Sequence, residues 1–264
     1  MKYDEKGMQD ILNDSRYQDI GNLPSNFFPY DFKKLYIRPF TVNELRLVSK
    51  AATLKEMSHL IRAIDLVTTE DASNFTIGDF YYILMWLRIH SMPKTPYVIE
   101  WHCHEGVVTH KTEGSIIPND HKFKLPEDEE NWEVKDCNTH NSEVIHMTDV
   151  EIICLEDDFP GLPNDSPLEF DFPRARHLQD IQEALKDPEL NLLVGPAQWI
   201  KDGDTIEDKI NILATQSDLQ VFDDAAAIND TVIHGIAETA MLTCRTCLKK
   251  TPHTLVLDAL SFFR

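Results

Sequence analysis

The chain has 264 residues, more than one core of roughly 100 to 150 residues requires, so two domains are expected. Hydrophobic residues make up 42% and charged residues 27%, and 9 Gly with 14 Pro exclude a collagen-like or low-complexity chain. The formal net charge of −20 lies almost wholly beyond residue 100: residues 1–100 carry 12 Lys and Arg against 13 Asp and Glu, and the remainder carries 13 against 32. A field of that sign repels phosphate backbones and excludes nucleic acid as the partner, while it favours basic partner proteins.

Residues 1–20 are polar with scattered Tyr and Ile and are expected to form an arm; the absence of an apolar signal core there predicts synthesis in a cytosol. Leu23-Pro24-Ser25-Asn26 opens an extended segment that runs through Tyr36 to Pro39. Thr41 with Glu44, and Thr53 with Glu56, have capping-box spacing and predict two helices, the second with Met57, Leu60, Ile61 and Ile64 on one face. Thr76 with Asp79 predicts a third, Ile77 to about His90, apolar around most of its circumference and so expected to be the most buried element. Its apolar stretch contains Arg88 and is shorter than the roughly 20 residues of a membrane span.

Beyond Pro96 the period changes to that of strands, at 97–101 and within 143–155, separated by a long polar loop or hairpin over 106–136 that holds the acidic run Glu127 to Glu130. Three prolines and a glycine between Asp157 and Pro167 place a domain boundary near 160. That boundary gives an N-terminal helical plus β-ribbon domain, 1–160, and an acidic C-terminal helical domain, 161–264, ending in a Cys-x2-Cys β element. In the second half Leu162-Pro163-Asn164-Asp165 echoes Leu23-Pro24-Ser25-Asn26. Helices follow from Ala175, from Thr205 with Asp208 and from Ser217, then a cysteine pair and a strand at 254–257. The fold class is therefore α+β, with helices dominating 41–92 and 175–243, small antiparallel zinc-ribbon-like β elements, and two loosely duplicated halves.

Five cysteines are an odd number in a chain expected to stay in a reducing compartment, which points to thiols or metal ligands rather than a disulfide framework. Cys244-Arg245-Thr246-Cys247 is a metal knuckle, because two side chains on such a turn converge on one tetrahedral ion. Its remaining ligands are His253 and His234, or Cys137 and His140 supplied by the first half. Cys103 with His102 or His104, and Cys137-Asn138-Thr139-His140, could form a further site, and structural zinc is the cofactor expected. The chain has no nucleophile elbow, phosphate loop, dinucleotide fingerprint or His-Glu-x2-His motif, so no catalytic constellation is expected. The terminal Phe262 and Phe263 point to opposite faces if extended, and one of them is expected to meet a partner.

Several of these segments together resemble a known family. Leu23-Pro24-Ser25, Tyr36-Ile37-Arg38-Pro39-Phe40-Thr41-Val42-x-Glu44, Phe75-Thr76-Ile77-Gly78-Asp79, Leu87-Arg88-x2-Ser91 and Trp101-x-Cys103 are similar to the baseplate hub and hub-assembly proteins of T-even-type contractile-tailed phages. His234-Gly235, Cys244-x2-Cys247 and Ser261-Phe262-Phe263-Arg264 agree with that picture. The resemblance implies a non-enzymatic protein that contacts other baseplate and tail proteins, found in the host cytoplasm during assembly or in the tail baseplate of the virion. A cellular zinc-ribbon adaptor is the competing reading, and a metal-dependent hydrolase using the His-rich stretches 102–110 and 140–146 a third.

Overall fold

The computed structural model describes residues 5–110, 116–118, 132–216, 218–237 and 239–255. The expectations for Ser217, for Glu127 to Glu130 and for Phe262 and Phe263 lie outside them. In chain order, helix α1 (Glu5–Asn13), strands β1 (Gln18–Asp19) and β2 (Tyr36–Ile37), and helices α2 (Val42–Leu54), α3 (Met57–Asp65) and α4 (Ile77–Ser91) come first. Strands β3 (Val98–Cys103), β4 (Gly106–His110), β5 (Ile116–Pro118), β6 (Trp132–Asp136), β7 (Thr139–Val144) and β8 (Ile152–Ile153) follow. Helices α5 (Leu178–Ala184), α6 (Asn191–Ala197), α7 (Ile206–Ala214) and α8 (Leu219–Thr231) lead to β9 (Gly235–Ile236), β10 (Thr239–Thr243) and β11 (Lys250–Thr254). The architecture is α+β with small antiparallel sheets, and no described helix is long and apolar enough to cross a membrane.

The described residues divide into two compact units, each built from two separated segments. One gathers the described residues of Met1–Ser91 and Ile152–Ile236 and contains α1 to α8; the other gathers those of Met92–Glu151 and Ala237–Val256. A single cut near 160 does not describe this division. The Pro-rich segment is a surface crossing within the helical unit, where Leu155 N–H donates to Pro24 O at 2.8 Å and Asn26 Nδ2 donates to Asp157 Oδ1 at 2.6 Å.

In the helical unit, α2 starts as its sequence predicts: Thr41 N–H donates to Glu44 Oε2 at 2.7 Å, and Arg38 pairs with Glu44 at 3.0 Å. The Thr53 and Glu56 spacing has a different meaning. Thr53 lies inside α2 with its hydroxyl on Ser49 O, and the break before α3 is made by Lys55 in the left-handed region at φ 59°. Helix α4 is buried continuously from Tyr82 to Arg88, as its all-round apolar sequence requires. Its start passes so close to β9 that a Cβ on Gly78 would lie 2.3 Å from His234 O, and Gly235, at φ 123°, has Gly78 Cα against its open side. Further along, Ile181, Val194, Ile200, Ile206, Ile210 and Leu213 form one apolar cluster, and Leu155, Phe170, Phe172, Trp199 and Ile228 form another.

In the ribbon unit, β3 pairs with β7 from Val98↔Val144 to Cys103↔Thr139, and β10 pairs with β11 from Thr239↔Thr254 to Thr243↔Lys250. Strand β4 lies between β5 and β6. The helical run expected to reach 243 ends at Thr231. Thr239-Ala240-Met241-Leu242-Thr243 has period two, with Ala240 and Leu242 inside and Met241 exposed, so it forms β10 instead.

Candidate metal centre

Strand parity decides which side chains of the ribbon unit meet. On β3, Trp101 and Cys103 point inward, so His102 points outward and is exposed; His104, just past the strand, is exposed as well. On β7 the buried residue is Asn141, which turns its neighbour His140 out to solvent. Cys103 at the end of β3 meets Cys137, between β6 and β7, and Cys244 and Cys247, between β10 and β11, with all four Sγ atoms within 4.8 Å of one another. The Sγ atoms of Cys103 and Cys247 are 3.7 Å apart, as are those of Cys137 and Cys244. A tetrahedral zinc with bonds of about 2.3 Å has sulfur edges of about 3.8 Å, so the four thiols are spaced for one ion. No disulfide links them.

The surroundings favour the thiolate at Cys244. Cys244 Sγ accepts the amide N–H groups of Cys247 and Thr246 and, at 3.6 Å, Asn141 Nδ2; burial works against the charge, but these donors bring the Cys244 thiol down to about 6. Burial pushes Cys103 up to about 12 and raises Cys247, so metal coordination is what would ionise those two groups. Asn141 also accepts the Arg245 N–H at 3.0 Å, tying the sulfur it touches to the backbone of the knuckle. Lys249 Nζ and Glu105 Oε2, 2.5 Å apart, join the two cysteine turns. Val107 closes the apolar side of the cluster. The set can hold a soft divalent cation, and thiolate ligands suit zinc.

The model of the T4 bacteriophage base plate protein family matches residues 23–264. The chain belongs to that family. No curated protein and no solved structure matches it. Membership in the base plate family implies a structural role in the phage tail baseplate, in contact with other baseplate proteins.

Of the ligands expected for this base plate protein, Cys103, Cys137, Cys244 and Cys247 come together, and the histidines do not join them. His140 Nε2 lies 3.9 Å from Glu100 Oε2, and its ring lies 4.9 Å from that of His102. His253 packs against Trp101 at 4.7 Å, with Nε2 2.7 Å from Thr251 Oγ1. His234 belongs to the helical unit, where its Nε2 is 2.8 Å from Thr76 Oγ1. The helical unit also has a groove of about 910 Å³ lined by Tyr30, Asp65, Asp71, Arg174 and Arg176. Its arginines are engaged: Arg174 pairs with Asp171 at 2.8 Å and Arg176 donates to Asn74 Oδ1 at 2.8 Å.

Proposed function

We propose that this chain is a non-enzymatic structural or assembly protein of the phage tail baseplate hub, acting through protein contacts, and that one structural zinc held by Cys103, Cys137, Cys244 and Cys247 staples its ribbon unit. The family match over residues 23–264 carries the baseplate reading. The closed set of four sulfurs supports a structural ion, because a catalytic zinc keeps a coordination position for water or substrate and four thiolates leave none. The formal charge of −20 suits docking onto basic surfaces of other baseplate and tail proteins. Assembly in the host cytoplasm, followed by a place in or at the baseplate, is the localisation that fits this role.

A phage carrying a stop codon early in this gene tests the proposal. Electron microscopy of its lysates should show no completed baseplates, with rescue by the intact chain and not by a chain with all four cysteines changed to serine. Complete contractile tails from the stop-codon phage would overturn the baseplate role.

A further inference from the structure

The two cysteine turns share a left-handed residue after the second cysteine and the strand register around it. In the second, Cys244-Arg245-Thr246-Cys247 is followed by Leu248 in the left-handed region at φ 59°. In the first, Cys103-His104-Glu105 leaves β3, and Cys137 is followed by Asn138, also left-handed, at φ 47°. One sulfur contact repeats, with Thr246 N–H donating to Cys244 and Glu105 N–H to Cys103; the other differs in kind, since Lys249 N–H donates to Cys247 and the Thr139 hydroxyl lies 3.2 Å from Cys137 Sγ. The strand registers repeat as well. Thr243, just before Cys244, pairs with Lys250, and His102, just before Cys103, pairs with His140 at the equivalent place after Cys137.

The difference between the turns is the segment 106–136, and its two ends meet. Gly106 pairs with Asp136, Val107 pairs with Lys135, and Cys137 N–H donates to Glu105 O at 2.8 Å. We infer that Cys103-His104-Glu105-Cys137 is a Cys-x2-Cys knuckle opened between Glu105 and Cys137 by an inserted sheet, β4 to β6, which the metal centre does not need. The inserted sheet leaves and re-enters the chain at adjacent points of a surface turn, where extra chain is tolerated because the flanking geometry need not change. Val107 is the described side chain of the insert that packs among the sulfurs. The centre thus has the two-fold internal likeness of a ribbon with two knuckles, and the insert is a module free to vary on one of them. This inference rests on the metal reading above.

The test uses two variants of the full chain. In one, 108–134 is replaced by Asn-Gly, so that Val107 and Lys135, already paired, are joined by a two-residue hairpin turn. In the other, 106–136 is removed and Glu105 is joined directly to Cys137. Zinc is counted per chain, and cobalt substitution is read by its thiolate charge-transfer absorption. The variant that keeps Val107 should hold one ion with affinity within about threefold of the intact chain, and the direct junction should hold it about tenfold more weakly for want of the Val107 cover. Retention of one ion by either variant upholds the inference. Loss of the ion from both, with one ion in the intact chain, overturns it and leaves the metal reading standing; an intact chain without metal removes both.

Discussion

The hydroxyl of Tyr30 donates to Oδ2 of Asp79 at 2.7 Å and accepts the N–H of Thr76 at 2.7 Å. Asp79 is fully buried, and its other oxygen accepts the Ser25 N–H at 2.9 Å. Tyr30 has therefore entered a capping box that Thr76 and Asp79 would otherwise close between themselves, and one bond of that box remains, Asp79 N–H to Thr76 Oγ1 at 3.2 Å. Burial, together with the Asp79 carboxylate, holds the Tyr30 hydroxyl well above its ordinary pKa, so it stays a donor.

Tyr30→Phe keeps the ring and removes the one atom that serves both partners. It should cost about 2 to 4 kcal/mol, because the buried Thr76 N–H and the buried Asp79 carboxylate each lose a bond. Urea unfolding followed by the circular dichroism of the helices measures it. A midpoint equal to that of the unchanged protein would show that these bonds contribute nothing to stability.

Acid should weaken the helical unit in two steps. Burial, with the charges of Lys209 and Arg176 beside it, holds the His177 imidazole down at about 4, and Arg176 Nε donates to His177 Nε2 at 3.2 Å. The unfolded chain takes up this proton near its ordinary pKa of 6.5, so the contribution is complete above 6.5 and is lost as pH falls towards 4. Burial opposes ionisation of Glu44, but hydrogen bonds from Arg38 and Thr41 outweigh it and lower the carboxyl from 4.5 to about 2, so its contribution is complete above 4.5 and is lost as pH falls towards 2. Each window should carry about 1 to 3 kcal/mol. Replacing His177→Phe should flatten stability between pH 6.5 and 4 and leave the lower window intact; an unchanged slope in the upper window would contradict the assignment.

Much of this was readable because capping and strand parity are local. Thr41 with Glu44, and Thr205 with Asp208, predict the starts of α2 and α7 from four residues each, and both boxes form. Thr53 with Glu56 has the same spacing and fails because the left-handed turn at Lys55, which no motif marks, places Thr53 inside the preceding helix. The knuckle at Cys244 and Cys247 is contiguous and therefore visible. Its counterpart is split by 106–136, so in the sequence Cys103 and Cys137 each pair with a nearby histidine rather than with each other, and it is the Glu105 to Cys137 bond that brings the ends of the insert together. His140 was a plausible ligand by spacing, and strand phase excludes it: with Asn141 facing in, His140 faces out.

Asn141 is the residue beside the centre that sequence spacing did not single out. It supports Cys244 Sγ with Nδ2 and fixes Arg245 N–H with Oδ1. Asn141→Ala should lower zinc affinity about ten- to a hundredfold while leaving the stoichiometry at saturation unchanged. Competition against a chromophoric chelator reads this directly, and an affinity equal to that of the intact chain would remove Asn141 from the support of the site.

The metal content of the whole chain tests the centre itself most directly. Native mass spectrometry of the protein purified without added chelator should show one zinc per chain, with Cys103, Cys137, Cys244 and Cys247 shielded from alkylation and the exposed Cys154 reacting. A metal-free mass with all five thiols reacting under the same native conditions would contradict it.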